Sequence, residues 1–246
     1  MTEQPKAIFF DMDGTILDWQ SGMEESWLAS CEQHCAGGYV PAELHDAIRV
    51  RRTWFWGDPE RANAGRMDLD ASSREIVRRA FDDMRIKSVE LAHRISDDYR
   101  ALRDLAIAPY PGAIELLAGL QSRGTRMALI TNGAAISQRR SVERFALARY
   151  FDCVVIEGEF GVGKPDERVF QHALASCGVE AADTWMVGDS LEADIAPAVR
   201  LGMHAVWIDG AGELAPTEAL RDRNAHVRPH RVIKRIDELM AGERTS

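Results

Sequence analysis

Apolar and polar positions follow two rhythms along this chain. Short apolar runs, AIFF at 7–10, MALIT at 127–131, CVVIEG at 153–158, TWMVGD at 184–189 and AVWID at 205–209, have the length and β-branched or aromatic content of strands. Between the later runs lie AIELLAGLQSRG, SQRRSVERFALARY, DERVFQHALASCG and LEADIAPAVRLG, whose apolar residues recur at helical spacing. In the last of these, Leu191, Ile195 and Val199 share a face, Gly202 suits the stop, and Pro197 is expected to kink the helix. Pro165 and Asp166 suit a helix entry, and Gly178 a C-terminal cap. Strands that are apolar throughout are buried on both faces. Their alternation with helices of this length predicts an α/β fold, a doubly wound parallel sheet with helices on both sides.

Residues 19–107 break the alternation. MEESWLASCEQHC, PAELHDAIRVRRTWFW, SSREIVRRAFDDMRI and SVELAHRISDDYRALRDL read as helices with few strand signals between them, and Pro109, Pro111 and Gly112 in APYPGA mark a rigid turn. The expected organisation is an all-helical domain at 19–107 inserted into a core made of 1–18 and 108–246. There is no internal repeat, and the tail AGERTS is expected to fray.

Composition narrows the partners. A chain of 246 residues with 46% hydrophobic residues can bury a sizeable core, and a formal net charge of -9 argues against a polyanion-binding surface, so no nucleic acid is expected. No apolar run approaches the roughly 20 residues that span a bilayer. The N-terminus MTEQPK lacks the apolar core of a signal peptide, so no membrane association and a cytoplasmic location are expected. Cys31, Cys35, Cys153 and Cys177 form no CxxC pair and are expected as reduced thiols. CEQHC puts Cys31, His34 and Cys35 at helical spacing, but a closed zinc site needs a fourth ligand, and an ordinary helix is the expectation.

The chemistry gathers where the strands end. Asp11 and Asp13 follow AIFF, Thr131 and Asn132 close MALITN, and Asp189 follows TWMVG, with Asp194 five residues on. GVGKPD supplies Lys164 after CVVIEG. In a parallel sheet such ends converge on one edge, where ligands bind. Carboxylates a few ångströms apart disfavour joint ionisation, and a hard divalent cation removes that conflict. Mg2+, which binds through one or two carboxylates plus phosphate and water, fits best. Lys164, the backbone N–H groups near Gly14 and Thr15, and Thr131 with Asn132 would then hold an anion, most simply a phosphoryl group.

The four blocks DMDGT, TNG, GVGKPD and GDSLEAD, in this order, resemble the haloacid dehalogenase superfamily, and the helical insertion resembles its cap. The resemblance covers essentially the whole chain and implies a Rossmann-like core. It implies that Asp11 is the nucleophile that forms an aspartyl-phosphate, and that Asp13 protonates the leaving alcohol and then activates water. It makes Asp11, the Asp13 backbone carbonyl and Asp189 the Mg2+ ligands. Thr131, Asn132 and Lys164 would bind phosphate, and Asp194 would act through a metal-bound water or by orienting Lys164.

An acid at position 13 favours phosphate esters over carbon–halogen bonds, because a departing halide needs no proton. The expected activity is Mg2+-dependent hydrolysis of a small phosphorylated metabolite. A phosphomutase uses the same two acids, and a receiver-like module or a non-catalytic phosphate-binding protein gathers similar groups. The receiver-like module fits less well with a helical insertion after the first strand, and the non-catalytic reading with the presence of both Asp11 and Asp13. In RRTWFWGDPERANAGR, Trp54, Phe55 and Trp56 with Arg51, Arg52, Arg61 and Arg66 could clamp a substrate; cap core and a solvated arginine face are the simpler expectation. Exposed cap helices fit a monomer and a homodimer equally.

Overall fold

The apolar runs form strands, and their number grows by three short ones. In chain order these are β1 (Ala7–Phe10), β2 (Leu17–Asp18), β3 (Ala108–Pro109), β4 (Arg126–Thr131), β5 (Cys153–Ile156), β6 (Thr184–Gly188), β7 (His204–Ile208) and β8 (Arg231–Ile233). The structure is a computed structural model that describes residues 5–34, 38–210 and 227–240. It divides into two compact units, residues 1–20 with 108–246, and Ser21–Ile107.

In the first unit, six of the described strands make a parallel sheet in the order β5-β4-β1-β6-β7-β8. Phe10 at the end of β1 is in register with Leu129 of β4 and Val187 of β6. From β1 the chain builds outward through β4 and β5, then returns to the other side of β1 through β6. That reversal is the switch point at which doubly wound sheets open a crevice at the carboxyl ends of their strands. Asp11, Thr131 and Asp189 end β1, β4 and β6, the three strands around it. β2 and β3 pair antiparallel, Leu17 against Pro109 and Asp18 against Ala108, where the chain leaves and re-enters this unit.

The second unit is helical: α1 (Met23–Gln33), α2 (Pro41–Trp56), α3 (Pro59–Gly65), α4 (Leu69–Met84) and α5 (Val89–Ala106). Asp58, Asp68 and Ser88 cap α3, α4 and α5 by accepting from the backbone N–H three residues on, which satisfies a donor that the helix itself leaves open. α4 buries Ile76, Val77, Ala80 and Phe81, and α5 buries Leu91, Ala92, Ile95 and Tyr99. Trp27 of α1 stacks on Tyr99 with ring centroids 3.5 Å apart. The aromatic tract is divided in its roles. Phe55 is buried, Trp56 is exposed, and the Trp54 ring carries the guanidiniums of Arg61 at 4.0 Å and Arg79 at 4.5 Å. Arg51 pairs with Asp83 on an exposed face, as expected, whereas Arg52 pairs with Glu24 in a partly buried position. His34 pairs with Asp98 at 2.6 Å, and burial pushes the Cys31 thiol up to about 12; Cys35 lies outside the described residues.

Four boundaries differ from the sequence pattern, each for a local reason. CVVIEG stops as a strand at Ile156, because Glu157 opens a helical turn (Glu157–Phe160) and accepts the Gly133 N–H at 2.9 Å. SQRRSVERFALARY splits: its helix ends at Arg144, Ala146 turns left-handed at φ 49°, and a 3-10 turn follows at Leu147–Tyr150. LEADIAPAVRLG begins as a π turn, Leu191–Ile195, and becomes α-helical at Ala196–Arg200, so Pro197 sits in a helix's first turn, where its missing N–H costs nothing. β8 is too short and polar to read from periodicity. It is recruited by the edge of β7, with His230 N–H donating to Ala205 O and Asp209 N–H to Ile233 O, both at 2.9 Å.

Helices cover the sheet: α6 (Ala113–Ser122), α7 (Ala135–Arg144), α8 (Glu157–Phe160), α9 (Glu167–Cys177) and α10 (Ala196–Arg200). On one side Phe9, Ile130, Val155 and Met186 meet Val169, Phe170 and Ala173 of α9 together with Ile195 and Ala198. Phe170 is fully buried in this layer. Phe170→Ala should lower unfolding free energy by about 3–5 kcal/mol, read from urea unfolding at unchanged m-value; a loss below about 1 kcal/mol would show that the layer closes over the gap.

Candidate active site

Asp11 is the first residue beyond β1, and its N–H still donates to Val187 O at 3.0 Å. The ladder therefore continues one residue past the strand and fixes where the buried carboxylate stands. Lys164 approaches it from the loop before α9. Its Nζ lies 2.6 Å from Asp11 Oδ1 and 2.6 Å from Asp194 Oδ1, and it is 3% exposed. Burial works against an ammonium here, but Asp11 and Asp194 outweigh it, and the Lys164 pKa is raised. The lysine remains charged.

The loop is held by Asn132. Its Oδ1 accepts the Lys164 N–H at 2.8 Å and its Nδ2 donates to Lys164 O at 2.7 Å. The Asn132 carboxamide thus grips the lysine backbone, whereas its side chain was expected on an anion. Asp194 is aimed by the π turn. Its Oδ2 accepts the Ser190 N–H at 3.0 Å while Oδ1 faces the lysine. A Cβ on Gly188 would fall on the Asp194 carboxyl group, so the missing side chain is what admits that carboxylate.

Asp11, Asp189 and Asp194 each bring one carboxylate oxygen within 4.8 Å of the others. Burial, with repulsion from Asp11 and Asp194, holds Asp189 well above the usual carboxylate range. Asp194 is pushed up to about 6 by burial, against the pull of Lys164. One ammonium does not balance three carboxylates, and Asp11 Oδ2 is buried with no hydrogen-bond partner among the described residues. An all-oxygen donor set with excess negative charge fits a hard divalent cation. The Trp207 indole N–H donates to Asp189 O at 2.9 Å and so pins the backbone of the third acid.

Asp13, Gly14, Thr15 and Thr131 complete the edge. Asp13 lies outside the three-acid cluster, and its Oδ2 accepts from Gln138 Nε2 at 2.8 Å. The Gly14 N–H, expected on an anion, donates to Leu17 O at 2.8 Å, and the Thr15 N–H faces Met12 O at 3.4 Å. The tight turn after β1 uses both donors. What Gly14 contributes is space: at φ 91° it sits where a Cβ would overlap the Asp189 carboxylate. Thr15 contributes a buried hydroxyl with no partner among the described residues. Sequence reasoning missed Gln138 and Trp207. A polar residue in a helix and an aromatic in a strand carry no signal of the strand end they will face.

The sequence profile of the haloacid dehalogenase-like hydrolases matches residues 5–202, and the chain belongs to that family. It is 37% identical over 208 residues to glyceraldehyde 3-phosphate phosphatase from Pyrococcus abyssi, covering 82% of this chain and 80% of that protein. It is 43% identical over 100 residues to phosphoserine phosphatase from Thermus thermophilus, an alignment spanning 41% of this chain and 40% of that protein. The fold is that of the HAD-hydrolase YfnB from Bacillus subtilis, crystallised with magnesium, at TM-score 0.72 and 19% identity, covering 99% of this chain and 100% of that one. Among the described residues no helix is long and apolar enough to cross a membrane.

A pH-dependent response to cations follows from the acid cluster. With a folded pKa of about 6 against an ordinary 3.8, Asp194 binds its proton more tightly folded than unfolded. Its contribution to stability therefore falls as pH rises from about 4 to about 6 when no cation is bound. A cation that takes the proton's place should raise the melting temperature more at about pH 7.5 than at about pH 5. Equal shifts at both values would mean that these carboxylates do not hold it.

Proposed function

We propose that the chain is a phosphomonoester hydrolase that uses Mg2+ and an aspartyl-phosphate at Asp11 to act on a small phosphorylated metabolite. The observation that carries this reading is the buried Lys164 held 2.6 Å from both Asp11 and Asp194, with the other Asp11 oxygen buried and without a hydrogen-bond partner among the described residues. A carboxylate so placed is oriented by an ammonium through one oxygen and leaves the other open to attack phosphorus, as a nucleophile requires. Phosphatase relatives along most of the chain support the substrate class.

Asp11, the Asp13 backbone carbonyl and Asp189 would hold the cation, which supplies charge neutralisation for the carboxylates and the phosphoryl oxygens. The chain's own groups carry the steps. The Asp11 carboxylate forms a bond to phosphorus as the bond to the ester oxygen breaks, and Asp13 gives its proton to that departing oxygen. Asp13, now a carboxylate, takes a proton from water as the water oxygen bonds to phosphorus, and Asp11 is released with inorganic phosphate. Lys164 offsets the charge on nucleophile and phosphoryl group, and Asp194 keeps Lys164 in place. The Thr131 hydroxyl, the Asn132 backbone N–H and the Thr15 hydroxyl are assigned to the phosphoryl oxygens, with Gly14 leaving room beside Asp189. The helical unit is assigned the part of a cap that selects the substrate.

Phosphate release from a panel of phosphomonoesters, with Mg2+ or with EDTA, tests the reading. Turnover of at least one ester should need the cation, and Asp11→Asn should lower kcat at least about 10³-fold. Release unaffected by EDTA, or an active Asn variant, would overturn it.

A further inference from the structure

We infer that Gln138 is a positioning residue that sets both the Asp13 carboxylate and the Thr131 hydroxyl for phosphoryl transfer, an inference that rests on the phosphomonoesterase reading above. Gln138 lies one turn into α7, 7% exposed, with its carboxamide directed at the sheet edge. Nε2 lies 2.8 Å from Asp13 Oδ2, 2.8 Å from Thr131 Oγ1 and 2.6 Å from Asn132 O. A backbone carbonyl only accepts, so the Asn132 O contact requires the amide nitrogen, not its oxygen, to face this group. Two hydrogens serve three oxygens, one of them shared.

The consequences differ for the two side chains. Asp13 follows β1 in a turn and has two rotatable side-chain bonds, so a donor fixed on a helix 125 residues away constrains which way the carboxyl plane faces. Thr131 accepts from Gln138 through Oγ1, which turns its own O–H hydrogen away from the helix, toward whatever accepts it. Gly133 packs beneath the carboxamide: a Cβ there would come 3.3 Å from Gln138 Nε2, and its φ of 127° suits glycine. The TNG turn and the glutamine five residues later are therefore one device.

The step affected is proton donation. As Asp11 bonds to phosphorus and the ester P–O bond breaks, the Asp13 proton must arrive on the departing oxygen, and misplacement by about 1 Å costs on the order of 10²-fold. Only a basic leaving oxygen needs that proton. Gln138→Met keeps the length of the side chain and removes the donor. Its kcat/KM should fall about 10–100-fold for the best alkyl phosphomonoester of the panel, and by less than about 3-fold for 4-nitrophenyl phosphate, whose phenolate leaves without protonation. In the Asp13→Asn background, Gln138→Met should cost less than about 3-fold for either ester, the part owed to Thr131, because the acid it acts through is gone.

Equal losses for both esters, or additive losses in the double variant, would reduce Gln138 to a packing role and overturn the inference. Wild-type turnover with an unchanged Gln138→Met variant strikes this inference alone, whereas wild type that hydrolyses no ester strikes the phosphomonoesterase reading and this inference with it. If Met at 138 unfolds the protein at assay temperature, Gln138→Glu keeps the shape, sets a second carboxylate against Asp13, and should show the same dependence on leaving group.

Discussion

The site depends on crowding carboxylates around a buried cation of the protein's own. Lys164 cannot be deprotonated cheaply between Asp11 and Asp194, and neither acid can be buried without it. Such a pair is weak evidence for net stability, since well-packed apolar residues often serve a fold as well. Its value lies in orientation. The ammonium occupies one oxygen of each acid and leaves Asp11 Oδ2 and the Asp189 carboxylate to other partners, so the cluster is part-neutralised and still electronegative.

Much of the surrounding architecture can be read as the means of holding that lysine where it is. The strand order places Asp11, Thr131 and Asp189 on three adjacent strand ends, because the chain reverses its direction of sheet growth around β1. Asn132 reaches from the end of β4 to clamp the lysine backbone from both sides, and the π turn after β6 bends Asp194 back over a glycine that has no Cβ to obstruct it. π turns concentrate at functional sites because the extra residue re-aims a side chain that a regular helix would present elsewhere. Gly14 does the corresponding service on the opposite side, beside Asp189.

Family membership, the parallel sheet and the phosphatase relatives converge on hydrolase chemistry, and within the site the two acids of DMDGT stand in different surroundings. Asp11 belongs to the charged cluster with Lys164, whereas Asp13, two residues on, faces a neutral amide on α7. Two like acids in one turn are thereby given different surroundings, which is how identical side chains take up different roles.

The apolar runs around the chemistry were legible in the linear pattern because strands buried on both faces and amphipathic helices have distinct periods. The order of DMDGT, TNG, GVGKPD and GDSLEAD was enough to put Asp11, Thr131 and Asp189 at strand ends and Lys164 in the loop that follows CVVIEG. Tertiary structure alone decided the rest. β8 exists because the edge of β7 offers hydrogen bonds to a three-residue segment too short to show a period of its own. The Gly14 and Thr15 N–H groups were claimed by the turn that Asp11 and Asp13 open, and the Asn132 amide by the lysine loop. Gln138 meets Asp13 across 125 residues, a separation over which no local period carries information. Local propensity is written along the chain, but which donor meets which acceptor is decided only where distant segments share an edge.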